Sequence, residues 1–254
     1  MLTPDPTGPP PTGSRGPGPP VTLVCLHHAG GHPSLFRPWS RAAPDGVEVA
    51  PVVLPTTGGR VRRRRHRTAD GLVPVLADRL EREVDDGGYV LFGYSMGGLL
   101  AYLLARRFCE GGGPRPAALA VAAFGAPHLS RPDLGSTGDD RELARRLYEI
   151  GGIPQWLVRN PEWLEPFLGL VRDDADLCAS YRHRPQERPL GVPVHVFGGE
   201  EDLLFPPEAV RAWTEVAEEV EVVFHPGGHF LLAEDSGRIR NAVFGIADRC
   251  RQYA

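Results

Sequence analysis

Three residues with the types needed for acyl transfer stand in a telling chain order: Ser95, Asp202 and His229. Ser95 is the centre of Gly93-Tyr94-Ser95-Met96-Gly97, a G-x-S-x-G pattern. A serine hydroxyl is a poor nucleophile until a base takes its proton, and the base works only when an acid holds its tautomer. The candidate base is His229, in Pro226-Gly227-Gly228-His229-Phe230. The candidate acid is Asp202, in Gly198-Gly199-Glu200-Glu201-Asp202, where Glu200 and Glu201 compete with it. Such a set attacks a carbonyl carbon, and the charge that develops on the carbonyl oxygen calls for backbone N–H donors. Ala29, in the loop after the first strand, and Met96, next to the serine, are the candidate donors. His27, His28 and His32 cluster in that first loop, but no carboxylate or thiol accompanies them at metal-ligand spacing, so no metal is expected.

The elements around these residues fit that chemistry. Tyr89 to Phe92 reads as a buried strand, and Leu99 to Arg107 as a helix, which is the strand–turn–helix setting the serine pattern requires. Glycines two before and two after Ser95 let a strained turn bring strand and helix close together. Val21 to Leu26, Val47 to Leu54, Ala117 to Phe124, Val192 to Phe197 and Val220 to Phe224 read as further strands. Leu72, Leu76, Leu80 and Val84 share one helical face, Pro206 to Ala217 is a helix with Val210 and Trp213 inward, and Ile239, Val243, Ile246 and Cys250 line a last helix capped by Ser236. This alternation predicts an α/β fold, a mostly parallel central sheet with helices on both faces. Asp202 and His229 then follow later strands, in glycine-rich loops at their carboxyl ends.

Between residues 128 and 190 no strand is convincing. Asp139 to Ile150 and Pro161 to Ala179 read as helices, which predicts an inserted helical lid. The expected organisation is a disordered Pro/Gly-rich tail over 1–20, a core over 21–127 and 191–254, and the lid over 128–190. Ile153, Trp156, Leu157, Trp163, Leu164, Phe167 and Leu168 are too many large apolar residues for a free helical pair. Most are expected to form lid core, with Trp156 and Phe167 lining an acyl channel. Arg60 to Arg67 holds six arginines in eight residues, a run expected to be solvated and able to steer an acidic partner.

Composition excludes several classes. The 254 residues suit one domain with an insertion, and 41% hydrophobic content supports a sizeable core. A net charge of −4 gives no reason to expect nucleic acid. There is no apolar run long enough to span a membrane, and Met1 to Pro6 lacks the start of a secretory signal. Cys25, Cys109, Cys178 and Cys250 show no paired spacing, so reduced thiols in a cytoplasmic protein are expected.

Leu26-His27-His28-Ala29-Gly30-Gly31, Gly93-Tyr94-Ser95-Met96-Gly97-Gly98, Gly151-Gly152-Ile153-Pro154, Asp202-Leu203-Leu204 and Pro226-Gly227-Gly228-His229-Phe230 together resemble the type II thioesterases of polyketide synthases and nonribosomal peptide synthetases. The resemblance runs from about Val21 to the last helix. It implies the α/β-hydrolase fold, a Ser95–Asp202–His229 triad, an oxyanion hole from Ala29 and Met96, and no metal or organic cofactor. The implied partner is an acyl or peptidyl carrier protein bearing a phosphopantetheine arm, and the implied role of this expected monomer is removal of aberrant acyl groups. The chain departs from the family in having Tyr94 where His is usual, His27 where Pro is usual, and Pro55 to Arg60 in place of a P-G-R-E run. A carboxylesterase with the same triad and a non-catalytic carrier-binding protein are the competing readings.

Overall fold

In the computed structural model, residues 19–57, 63–64, 66–84, 88–129, 139–184, 188–234 and 236–253 are described. The expected tail lies almost wholly outside them. So does most of the arginine run, of which Arg63 and Arg64 are described in backbone and Arg67 in full.

The chain opens with β1 (Val21–Leu26), a 3-10 turn (Pro33–Phe36), α1 (Arg37–Ala42) and β2 (Val47–Pro51). A two-stranded antiparallel ribbon, β3 (Thr56–Thr57) and β4 (Arg63–Arg64), leads to α2 (Ala69–Glu83). Then come β5 (Tyr89–Tyr94), α3 (Met96–Gly111) and β6 (Ala118–Ala122). Three helices, α4 (Asp140–Glu149), α5 (Gln155–Val158) and α6 (Pro161–Ser180), precede β7 (Val194–Gly199). The chain closes with α7 (Pro207–Arg211), a second 3-10 turn (Ala212–Glu215), β8 (Val220–His225), α8 (Leu231–Glu234) and α9 (Ser236–Tyr253).

Six strands form one sheet in the order β2-β1-β5-β6-β7-β8, and every described pairing in it is parallel. Parallel strands are covered on both faces, which is why they read as continuous apolar runs. Their alternate residues serve opposite faces. Leu91, Leu119 and Val121 pack with α2 and α3, whereas Val90, Phe92 and Ala120 pack with Trp39 of α1 and Ile239 and Val243 of α9. Parallel pairing also brings the carboxyl ends of all six strands to one edge. The chain winds outward in opposite senses from β1 and β5, so this edge has a switch point between them, where a crevice opens.

The helices between β6 and β7 build a third apolar cluster from Leu143, Leu147, Ile153, Leu157, Leu168 and Val171. The C-terminal part of α6 reaches the main core: Leu177 and, just beyond the helix, Tyr181 belong to it with α2 and α3. The insertion is therefore rooted in the core it covers. Three elements are also shorter than expected: β2 ends at Pro51, β6 spans Ala118–Ala122, and the helix expected from Pro206 tightens to 3-10 after Arg211.

Candidate active site

Four of the loops at the carboxyl edge carry the expected residues: Ala29 after β1, Ser95 after β5, Asp202 after β7 and His229 after β8. Ser95 has φ 52° and ψ −115°, a backbone conformation rare for a residue with a side chain. The glycines around it explain how that turn survives. A Cβ on Gly93 would lie 2.2 Å from the Gly97 carbonyl oxygen, so the first glycine does clear the helix. The second has another duty. A Cβ on Gly97 would lie 2.2 Å from the Leu26 carbonyl oxygen, so this glycine lets α3 start directly against the end of β1.

Ser95 Oγ lies 2.9 Å from His229 Nε2, and His229 Nδ1 lies 2.9 Å from Asp202 Oδ2. The other oxygen of Asp202 accepts the backbone N–H groups of Leu204 at 2.8 Å and Phe205 at 3.0 Å. With both oxygens of Asp202 facing donors, the ring proton sits on Nδ1, and Nε2 is left to accept from the serine hydroxyl. The side chains of His229 and Asp202 are 3% and 0% exposed, so water does not compete for this relay. Glu200 and Glu201, the sequence competitors, are not the partners of the ring. Beneath His229, the Tyr94 hydroxyl donates to its backbone carbonyl at 3.0 Å. Burial pushes the Tyr94 phenol well up, which keeps it a donor.

The first loop is held from the lid. Gly30 has φ +72°, a Cβ there would lie 2.7 Å from Val171 Cγ2, and its N–H donates to Asp174 Oδ2 at 2.8 Å. Asp174 is fully buried on α6 and escaped the reading of the sequence because its partner lies 144 residues away. The neighbouring Asp173 accepts from Arg67 at 2.7 Å, a second tie between α6 and the segment before α2. His28 packs edge-on against Tyr94 and Phe230, with ring centroids 5.1 and 5.5 Å away. Burial, with smaller effects from His27 and His229, lowers its pKa to about 3, so it is neutral near neutral pH. His32 accepts the Ser34 N–H and caps the 3-10 turn. Among the described residues no three His, Cys, Asp or Glu side chains come together as a metal site.

The two lid candidates part company. Phe167 packs within the lid cluster and against the loop after β1, its ring 3.2 Å from where a Gly30 Cβ would stand. Trp156 is 59% exposed, and no channel among the described residues encloses it.

A parallel sheet with a strained serine between strand and helix, relayed to a histidine and an aspartate from later strands, defines a hydrolase of the α/β-hydrolase class. Residues 21–249 match the Thioesterase domain family, and the chain belongs to it. Thioesterase PikA5 of Streptomyces venezuelae is 30% identical over 228 residues, spanning 88% of this chain and 79% of PikA5. The gramicidin S biosynthesis protein GrsT of Aneurinibacillus migulanus is 28% identical over 217 residues, 84% of each chain. Among solved structures, RedJ, a thioesterase from the prodiginine biosynthetic pathway of Streptomyces coelicolor, superposes with a TM-score of 0.79 at 34% identity over 91% of each chain.

Proposed function

We propose that this thioesterase removes acyl groups from the phosphopantetheine arm of an acyl or peptidyl carrier protein, through an acyl intermediate on Ser95. The Ser95–His229–Asp202 relay is the observation that carries the reading. His229 Nε2 takes the serine proton as Oγ attacks the thioester carbonyl carbon, and Asp202 stabilises the imidazolium that forms. The N–H groups of Ala29 and Met96 hold the oxyanion, helped by the positive end of α3. As the tetrahedral species collapses, the C–S bond breaks and His229 returns the proton to the departing thiol. Water then repeats the sequence on the acyl-serine and releases the carboxylic acid. Phe167, rather than Trp156, is the lid residue suited to limit the acyl chain. The family supports the partner class, and relatives of the chain include proteins named for gramicidin S and cadicidin biosynthesis. The same reading makes the enzyme a cytoplasmic monomer; no described helix is long and apolar enough to cross a membrane.

The test is hydrolysis across a panel of acylated carriers, followed by intact-protein mass spectrometry, with oxoesters of matched acyl groups alongside. Thioesters should be preferred, and Ser95→Ala should lose about 10⁴ to 10⁶ in rate. Faster turnover of oxoesters would favour a carboxylesterase. Failure of a fluorophosphonate to label Ser95 would favour a non-catalytic carrier-binding protein.

A further inference from the structure

One buried imidazole beside the site has no part in the relay. His27 directly follows β1, is 2% exposed, and its Nδ1 lies 2.8 Å from the carbonyl oxygen of His28. The same oxygen accepts the Gly31 N–H at 3.0 Å. A trans peptide is planar, with its C=O and N–H pointing in opposite directions. No cis peptide occurs among the described residues. Two donors on the His28 carbonyl therefore set the direction of the N–H at the other side of that peptide, which is the N–H of Ala29. The loop is also fixed at its root, because a Gly97 Cβ would lie 2.2 Å from the Leu26 oxygen and 2.9 Å from the His27 oxygen. Backbone contact with α3 holds the chain up to His27, and the His27 side chain governs the peptide that follows.

We propose that His27 is a positioning residue of the oxyanion hole, its Nδ1–H holding the His28 carbonyl so that the Ala29 N–H is aimed at the oxyanion. The inference rests on the reading of Ala29 as an oxyanion donor. A hydrogen bond accepted by a peptide carbonyl polarises that peptide and makes its N–H a stronger donor. The bond is in place before the substrate arrives, so the donor needs no reorientation as charge develops. His27 acts on the oxyanion through one peptide group. The role demands the tautomer with hydrogen on Nδ1.

Side-chain nitrogen NMR of the full chain labelled at histidine reads that tautomer without any variant. A slowly exchanging Nδ1–H on His27 is expected, and a bare Nδ1 overturns the proposal. His27→Leu keeps an apolar filler but no donor. It should lower kcat on a small acyl thioester about tenfold, with KM within about twofold, because the hole acts mainly on the transition state. Inhibition by an acyl trifluoromethyl ketone, whose adduct with Ser95 puts an alkoxide in the hole, should weaken by the same factor. His27→Asn, whose side-chain amide can donate to the same carbonyl, should recover most of both losses. A folded His27→Leu with normal kcat and normal inhibition overturns the proposal. If His27→Leu does not fold, a folded His27→Asn whose kcat falls more than about tenfold below the parent does so instead. Ser95→Ala in the same assay keeps the two readings apart. Turnover by Ser95→Ala sinks the serine mechanism, whereas a dead Ser95→Ala beside a normal His27→Leu sinks only the role of His27.

Discussion

Replacing Asp202 by Asn should stop this enzyme while leaving its fold and its nucleophile in place. The reasoning lies in what surrounds the carboxyl group. Oδ1 accepts two backbone N–H groups, from Leu204 at 2.8 Å and Phe205 at 3.0 Å, while Oδ2 faces His229 Nδ1 at 2.9 Å. An asparagine has one acceptor and one donor end. Turning its NH₂ toward Leu204 and Phe205 would bury donor against donor and leave two N–H groups unsatisfied, at about 1–3 kcal/mol each. Its carbonyl must therefore take that side, and its NH₂ points at Nδ1. The ring then accepts at Nδ1 and carries its proton on Nε2, facing Ser95 Oγ at 2.9 Å. A protonated Nε2 cannot take the serine proton. The expected loss is about 10⁴ in kcat, or about 5.4 kcal/mol of transition-state stabilisation, with residual turnover from the oxyanion hole. Asp202→Ala imposes no tautomer and should be no slower than Asp202→Asn. Thiol release from a small acyl thioester, per mole of purified protein, measures both, and melting curves show that the variants fold. Activity of Asp202→Asn within about tenfold of the parent would refute the relay argument.

Other expectations follow from the same geometry. Gly97→Ala drives a Cβ into the Leu26 carbonyl oxygen at 2.2 Å and should abolish both activity and soluble folding, whereas Gly169→Ala, inside α6 with nothing within 4 Å, should stabilise the chain by up to about 1 kcal/mol in urea denaturation. His28 binds its proton near 6.5 when unfolded and near 3 in the fold, so between these values the unfolded state holds more protons and stability falls as pH is lowered. The loss attributable to His28 should reach about 2 kcal/mol between pH 6.5 and 5 and vanish above pH 7, and His28→Phe should flatten that acid limb when denaturation is compared at pH 7 and 5. Phe167→Ala should shift acyl preference toward longer chains and Trp156→Ala should not; an unchanged profile in folded Phe167→Ala removes it from the channel.

What the sequence determined by itself was what is written in local pattern. The six strands of the parallel sheet were legible as largely apolar runs because such a sheet is covered on both faces, and chain order then sent the loops after them to one edge. Ser95 was legible because a strained turn between strand and helix needs glycines at fixed offsets. Asp202 and His229 were legible because each sits in a glycine-rich loop after such a strand. The tertiary structure alone decided what lies between residues far apart in the chain. It gave Gly97 its duty against Leu26 rather than against the elbow strand, joined Asp174 to Gly30 across 144 residues, and set Tyr94 under the carbonyl of His229. It also buried His27, a residue of the first loop, and left exposed Trp156, which was expected to line an acyl channel. Periodicity shows that a helix has an apolar face but not which residues at its margin turn inward. That is settled by the shape of whatever the helix packs against, and here α6 packs at one end on the lid and at the other on the core.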